Sequence, residues 1–261
     1  MASSAVAFYR YALTALVLIP FLRFGKSSMK ASCWGVLAGA GMGLGWIGYV
    51  RALEVIPVST MGVLYMTYPL FTVLIAWFGF RDVPVMRSLL SAGLILLAAF
   101  IALSPAALGA VSYSILLFAF LAPLGFGFAI NVLTNILTQL PPLSRIACVS
   151  LGSVLGLTPL IFSLDATGVL PFTATAWLLI AGIAFVTALI PQLVYTVSAP
   201  LIGASRTAMA GSIELPTMFV VAWLAFGESI NLMQVVAGII VIAAIVITPA
   251  SDTNKLLDET M

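Results

Sequence analysis

Long apolar blocks alternate along this chain with short polar or basic stretches. Each block reaches the length at which mostly apolar residues cross a lipid bilayer as a helix. By that rule about nine spans are predicted, near residues 5–23, 34–52, 58–79, 87–104, 113–135, 146–163, 176–198, 206–226 and 231–249. Helices rather than strands are expected, because each block must satisfy its own backbone hydrogen bonds in lipid. The connections leave no room for a folded domain outside the membrane. A polar tail, residues 250–261, closes the chain. The expected fold is therefore all-α, a polytopic transmembrane helical bundle.

Two blocks read as one unit written twice. IPVSTMGVLYMTYPLFTVLIAWFGFRD and IGASRTAMAGSIELPTMFVVAWLAFGE share a small-residue start, a central proline, an Ala-Trp pair and an acidic end. Each is followed by a second apolar run with a central glycine, Gly93 or Gly238. Fainter echoes pair the second span with the seventh (Trp34, Gly39 and Tyr49 against Trp177, Gly182 and Tyr195) and the first with the sixth. The organisation expected is a first repeat over 1–104 and a second over 113–249. The fifth span has no partner, which fits a five-plus-five plan lacking its first helix. The opening segment has no basic n-region and no A-x-A cleavage site, so it is expected to be a retained span and not a signal peptide.

Charge sets the orientation. One set of alternate loops carries Arg23, Lys26, Lys30, Arg81, Arg87, Arg145 and Arg206, with Lys255 in the tail; the other offers Arg51 beside Glu54, Asp165 and Glu228. The positive-inside rule places the first set, and the C-terminus, in the cytoplasm. The third span then runs inward and the eighth outward, so the two copies lie inverted about an axis in the membrane plane. That symmetry serves alternating access around one midplane site.

Composition narrows the chemistry. The chain is 63% hydrophobic and 7% charged, and it has no histidine; its mean hydropathy is +1.24. Soluble domains are about 25% charged. Without histidine there is no His-based dyad or zinc set. Cys33 and Cys148 stand alone, so neither a metal site nor a disulfide framework is read. No catalytic residue, cofactor or nucleic-acid partner is expected.

The segments ALEVIPVSTMGVLYMTYPLFTVLIAWFGFRD, IELPTMFVVAWLAFGE with LMQVVAGIIVIAAIVI, and AFYRYALTALVLIPF together resemble the drug/metabolite transporter (DMT) superfamily in its EamA-type branch. The resemblance covers essentially the whole chain. It implies ten helices in two inverted fives, of which the first is lacking here. It also implies a transporter of small organic metabolites, amino acids or related compounds, often exported, in a bacterial inner membrane.

Glu214 is the sharpest candidate. A carboxylate in mid-span costs about 2.5–3.5 kcal/mol on insertion scales and usually faces the bundle interior or a wet cavity. Taking up a proton there removes the charge, so proton coupling is expected of it. Pro69, Pro191 and Pro216 interrupt apolar spans as expected hinges, freeing the carbonyls of Tyr65, Thr187 and Ser212. Trp46, Tyr49, Tyr65, Tyr68, Gln192, Tyr195, Ser212 and Glu214 are the expected substrate-binding set, since rings with polar tips suit amphipathic ligands. Trp34, Trp77, Trp177 and Trp223 read as interfacial belts. Asn131 and Asn135 are expected to bridge helices, with contact to substrate the alternative, and Arg10 to snorkel outward, with a role as counter-ion to a carboxylate the alternative. Gly35, Gly39 and Gly43, the adjacent Gly41 and Gly45, and Gly152 with Gly156 predict close helix packing.

The reading is a secondary transporter for a small uncharged or zwitterionic metabolite, embedded in the lipid bilayer, with monomer and homodimer both open. A lipid-modifying membrane enzyme and a non-catalytic subunit of a larger complex are the alternatives.

Overall fold

A computed structural model describes residues 3–56, 58–102, 113–164, 166–171, 173–227 and 230–248. The tail, Asp165 and Glu228 lie outside the described residues. The helices are α1 (Ser3–Leu18), α2 (Met29–Leu53), α3 (Val58–Tyr65), α4 (Tyr68–Phe80), α5 (Met86–Ala102), α6 (Tyr113–Asn135), α7 (Pro142–Phe162), α8 (Ala166–Val169), α9 (Ala174–Ile183), α10 (Ile190–Ile202), α11 (Ala204–Gly211), α12 (Glu214–Phe226) and α13 (Leu232–Ile247). Apart from the single turn of α8, they fall on the nine predicted spans. Six stretches are long and apolar enough to cross a membrane, and Ala5–Phe21, Met86–Ala102 and Leu232–Ile247 are shorter apolar helices.

The prolines explain why three spans are written as more than one helix. The third is cut between Tyr65 and Tyr68: the N–H groups of Met66 and Thr67 turn back onto Val63 and Leu64 carbonyls. Pro69 then sits in the first turn of α4, where no intrahelical N–H is needed. The eighth is cut at Ser212 and Ile213, ahead of Pro216. The seventh stays continuous, but passes through a π-helical segment, Ala184–Leu189, ahead of Pro191. A widened turn of this kind absorbs a missing backbone donor, and such turns recur at functional sites.

The second span is the centre of the packing. Gly39, Gly43, Gly152 and Gly156 bring α2 and α7 into backbone contact: a Cβ on Gly39 would overlap the Val149 carbonyl oxygen, and one on Gly152 that of Val36. On its other side Gly45 and Gly48 press on the Leu121 and Phe118 carbonyls of α6. Both predicted glycine stripes are thus used, each against a different neighbour. The third and eighth spans cross antiparallel, with α4 against α11 and Gly62 of α3 against Met218 of α12.

Loop ends follow the charge pattern. Leu22, Phe80, Leu137, Leu140 and Ala199 pack in one cluster, so the ends of the first, third, fifth and seventh spans gather on one side. There Arg145 donates to the carbonyls of Thr138 (2.9 Å), Leu140 (2.7 Å) and Thr196 (3.0 Å). The last of these is the carbonyl that Pro200 leaves without its helical donor. Two spans end in a left-handed residue at matching points of the duplicated unit, Arg81 (φ 58°) and Gly227 (φ 67°).

Candidate functional site

Between the broken spans lies a cavity of about 500 Å³, within the range of sites that hold small organic ligands. Five parts of the chain bring polar or aromatic groups to it: Arg10 and Tyr11 from α1, Trp46 and Tyr49 from α2, Tyr65 from α3, Gln192 and Tyr195 from α10, and Glu214 from α12. Phe126, Ile130 and Leu133 of α6 form an apolar wall. Thr187 in the π-helical segment and Pro191 just beyond it complete the side formed by the seventh span.

The aromatic groups form a connected series. The Trp46 ring stands 4.9 Å from Tyr49, Tyr49 is 6.1 Å from Tyr65, and Tyr65 is 5.8 Å from Phe126, which in turn lies 6.1 Å from Tyr195. Most of these pairs meet edge-on or tilted, the arrangement ring quadrupoles favour. Tyr68 stands behind this wall, fully buried, 4.9 Å from Phe126. Its hydroxyl and that of Tyr195 come together at α11. Both hydroxyls sit directly over Gly211, where a Cβ would overlap them. Glycine at that position is therefore a steric requirement of the wall.

Six of the eight expected substrate-binding residues thus line one cavity: Trp46, Tyr49, Tyr65, Gln192, Tyr195 and Glu214. Tyr68 supports the wall from behind. Ser212 is placed differently, fully buried with its hydroxyl donating to the Ala208 carbonyl at 3.3 Å. Its carbonyl, expected to be free, accepts from the Leu215 N–H at 3.1 Å, because the chain tightens at the break. Among the expected hinges, Pro191 lines the cavity, whereas Pro69 and Pro216 act one layer back, as helix-starting residues.

Other polar groups build the frame. Asn131 donates to the Thr72 and Gly127 carbonyls, both at 2.9 Å, and so ties the fifth span to the third, while its own Oδ1 is buried without a partner. Asn135 bonds within its own helix, to the Asn131 carbonyl. Ser150 donates to Gln192 Oε1 at 3.3 Å, joining the sixth span to the seventh.

Arg10 does not snorkel. Its guanidinium lies 4.7 Å from the Tyr11 ring centre and 5.5 Å from that of Trp46. Cation–π attraction holds it against the cavity wall. The sequence marked this residue as charged within an apolar span but not as a lining group. Phe126 and Met218 were equally hidden, since an apolar residue among apolar neighbours carries no signal of its own.

Two regions, residues 1–104 and 113–249, match the sequence model of the EamA-like transporter family. A S-adenosylmethionine uptake transporter of Rickettsia bellii (strain RML369-C) is 34% identical over 79 residues, spanning 29% of this chain and 27% of that relative. A solved crystal structure superimposes with a TM-score of 0.73 at 11% identity, covering 95% of this chain and 87% of the other. The structural likeness speaks for the fold alone.

Proposed function

Because the chain belongs to the EamA-like transporter family, and is by that a multi-pass membrane transporter of a small molecule, we propose that it carries a small zwitterionic organic metabolite, an amino acid or a related compound, by alternating access. The observation supporting this is the convergence of Glu214 with Trp46, Tyr49, Tyr65, Gln192 and Tyr195 on one cavity, where two antiparallel broken spans cross. A ligand with apolar and ionic parts matches a wall of rings that holds few charges. The rickettsial relative is named for uptake, whereas export is common in the wider superfamily. Outward transport from a bacterial inner membrane, with the basic loop set and the C-terminus in the cytoplasm, is the reading we adopt.

Glu214 supplies the coupling step. Its carboxylate faces a cavity of low polarity, so binding a proton and binding a cationic group compete for one site. A proton arriving from the acidic side discharges the ligand's ammonium, and the cycle returns with the carboxyl protonated. The neighbouring break at Ser212 and Ile213 lets α12 swing relative to α11 without unmaking either helix.

The test is flux of labelled amino acids in proteoliposomes, with and without an imposed pH gradient and with substrate on either side. Wild-type protein is expected to accumulate substrate against its gradient when protons run the other way. Glu214→Gln should retain exchange and lose accumulation. Full gradient-driven accumulation by Glu214→Gln would remove the coupling role.

A further inference from the structure

Arg10 has no counter-ion among the described residues. Among the described residues, the ion pair formed is Arg51–Glu54, and no carboxylate reaches Arg10. One terminal nitrogen donates to the Tyr11 hydroxyl at 3.0 Å, while the Nε–H is buried with no acceptor. A guanidinium carries five donors, so most of its capacity is unspent. The rings of Tyr11 and Trp46 lie close to it and hold it at the cavity wall. A positive charge held at a cavity wall, with donors in a planar fork, matches a carboxylate.

Glu214 lines the same cavity from α12, beyond ion-pair distance from Arg10. Among the described residues these are the two charged groups in the lining. Opposite charges that face one space without meeting leave room for a molecule carrying both signs. Trp46, Tyr49 and Tyr65 line the same cavity, and their linked rings offer an apolar surface for the rest of the ligand.

We propose that Arg10 is the carboxylate-binding residue of this transporter and sets its preference for zwitterions over amines. The assignment rests on the transport reading above and gives it a direction: the ligand's carboxylate lies toward α1 and its ammonium toward α12. The paired rings orient the guanidinium, making Trp46 both a wall of the cavity and a positioning residue for the charge.

The test uses purified full-length protein in detergent and three probes that differ by one group each: L-phenylalanine, phenethylamine and 3-phenylpropionate. Binding is read by calorimetry and by shift of the unfolding temperature. Wild-type protein should bind phenylalanine most tightly. Arg10→Gln should weaken phenylalanine and 3-phenylpropionate about 10- to 100-fold, the range of a charge-assisted pair, and leave phenethylamine bound at least as tightly, which also reports that the variant is folded. Glu214→Gln should weaken phenylalanine and phenethylamine and leave 3-phenylpropionate bound at least as tightly. Arg10→Lys, which keeps the charge and loses the fork, should fall between. Equal weakening of all three probes by Arg10→Gln, or wild-type binding of phenethylamine as tight as that of phenylalanine, would overturn the role of Arg10 and leave the transport reading standing. Failure of wild-type protein to bind any of the three would overturn the zwitterion reading itself, and the Arg10 assignment with it.

Discussion

Replacing Gly211 by alanine adds one methyl group where two phenol hydroxyls meet. The hydroxyl oxygens of Tyr68 and Tyr195 occupy the position the methyl would take, whereas Tyr68 Cζ would stand 3.4 Å from it, in ordinary contact. Both hydroxyls must therefore withdraw by about 1 Å to reach van der Waals separation. Tyr68 is 1% exposed and has little space in which to move. Overpacking of this kind costs about 1–3 kcal/mol, and Gly211→Ala is expected to destabilise the protein by that amount. The same change in a Tyr68→Phe/Tyr195→Phe background meets no hydroxyl, and should cost less than about 1 kcal/mol, leaving a coupling of the size contacting residues show. Reversible unfolding in mixed micelles, with increasing denaturing detergent, measures all four proteins. An equal alanine penalty in both backgrounds would refute the argument, since it would mean that the hydroxyls are not what the methyl strikes.

Other changes test the frame. Gly39→Ala should force α2 from α7 and destabilise by about 1–3 kcal/mol, read in the same unfolding assay. Leu37→Met, on the exposed face of α2, should change stability by less than about 0.5 kcal/mol. Arg145→Met removes three carbonyl contacts and should cost about 1–3 kcal/mol, with faster amide exchange around Thr196. Arg81→Gly relieves a left-handed backbone and should stabilise by about 1 kcal/mol, visible as a rise in unfolding temperature.

The spans were legible because length and apolarity suffice in lipid, and the breaks because Pro69 and Pro216 cannot supply a backbone donor. The glycine stripes of α2 were legible as contacts, though not as contacts with two separate partners. Faces were harder to read. A membrane helix is apolar all round, so its periodicity does not say which side looks inward. Arg10 illustrates the difficulty: a charge near the expected end of a span reads as snorkelling, but ring contacts hold it on the cavity side. Ser212 shows the opposite error. A polar residue beside the key carboxylate reads as a ligand, yet its hydroxyl is taken by the Ala208 carbonyl of its own helix. Aromatic residues with polar tips were the better guide, because burying a phenol or indole without use for its tip is costly.

The second span is held on two sides by neighbouring main chains, with no side-chain cushion that could compress or rotate. In the seventh and eighth spans, by contrast, Gly182 faces open space and Gly211 meets tyrosine side chains. Stiffness is therefore distributed unequally, with the second and sixth spans locked together as a keel. Spin labels placed on α10 and α2 are expected to change their separation during turnover, whereas a pair on α2 and α7 would keep a fixed spacing.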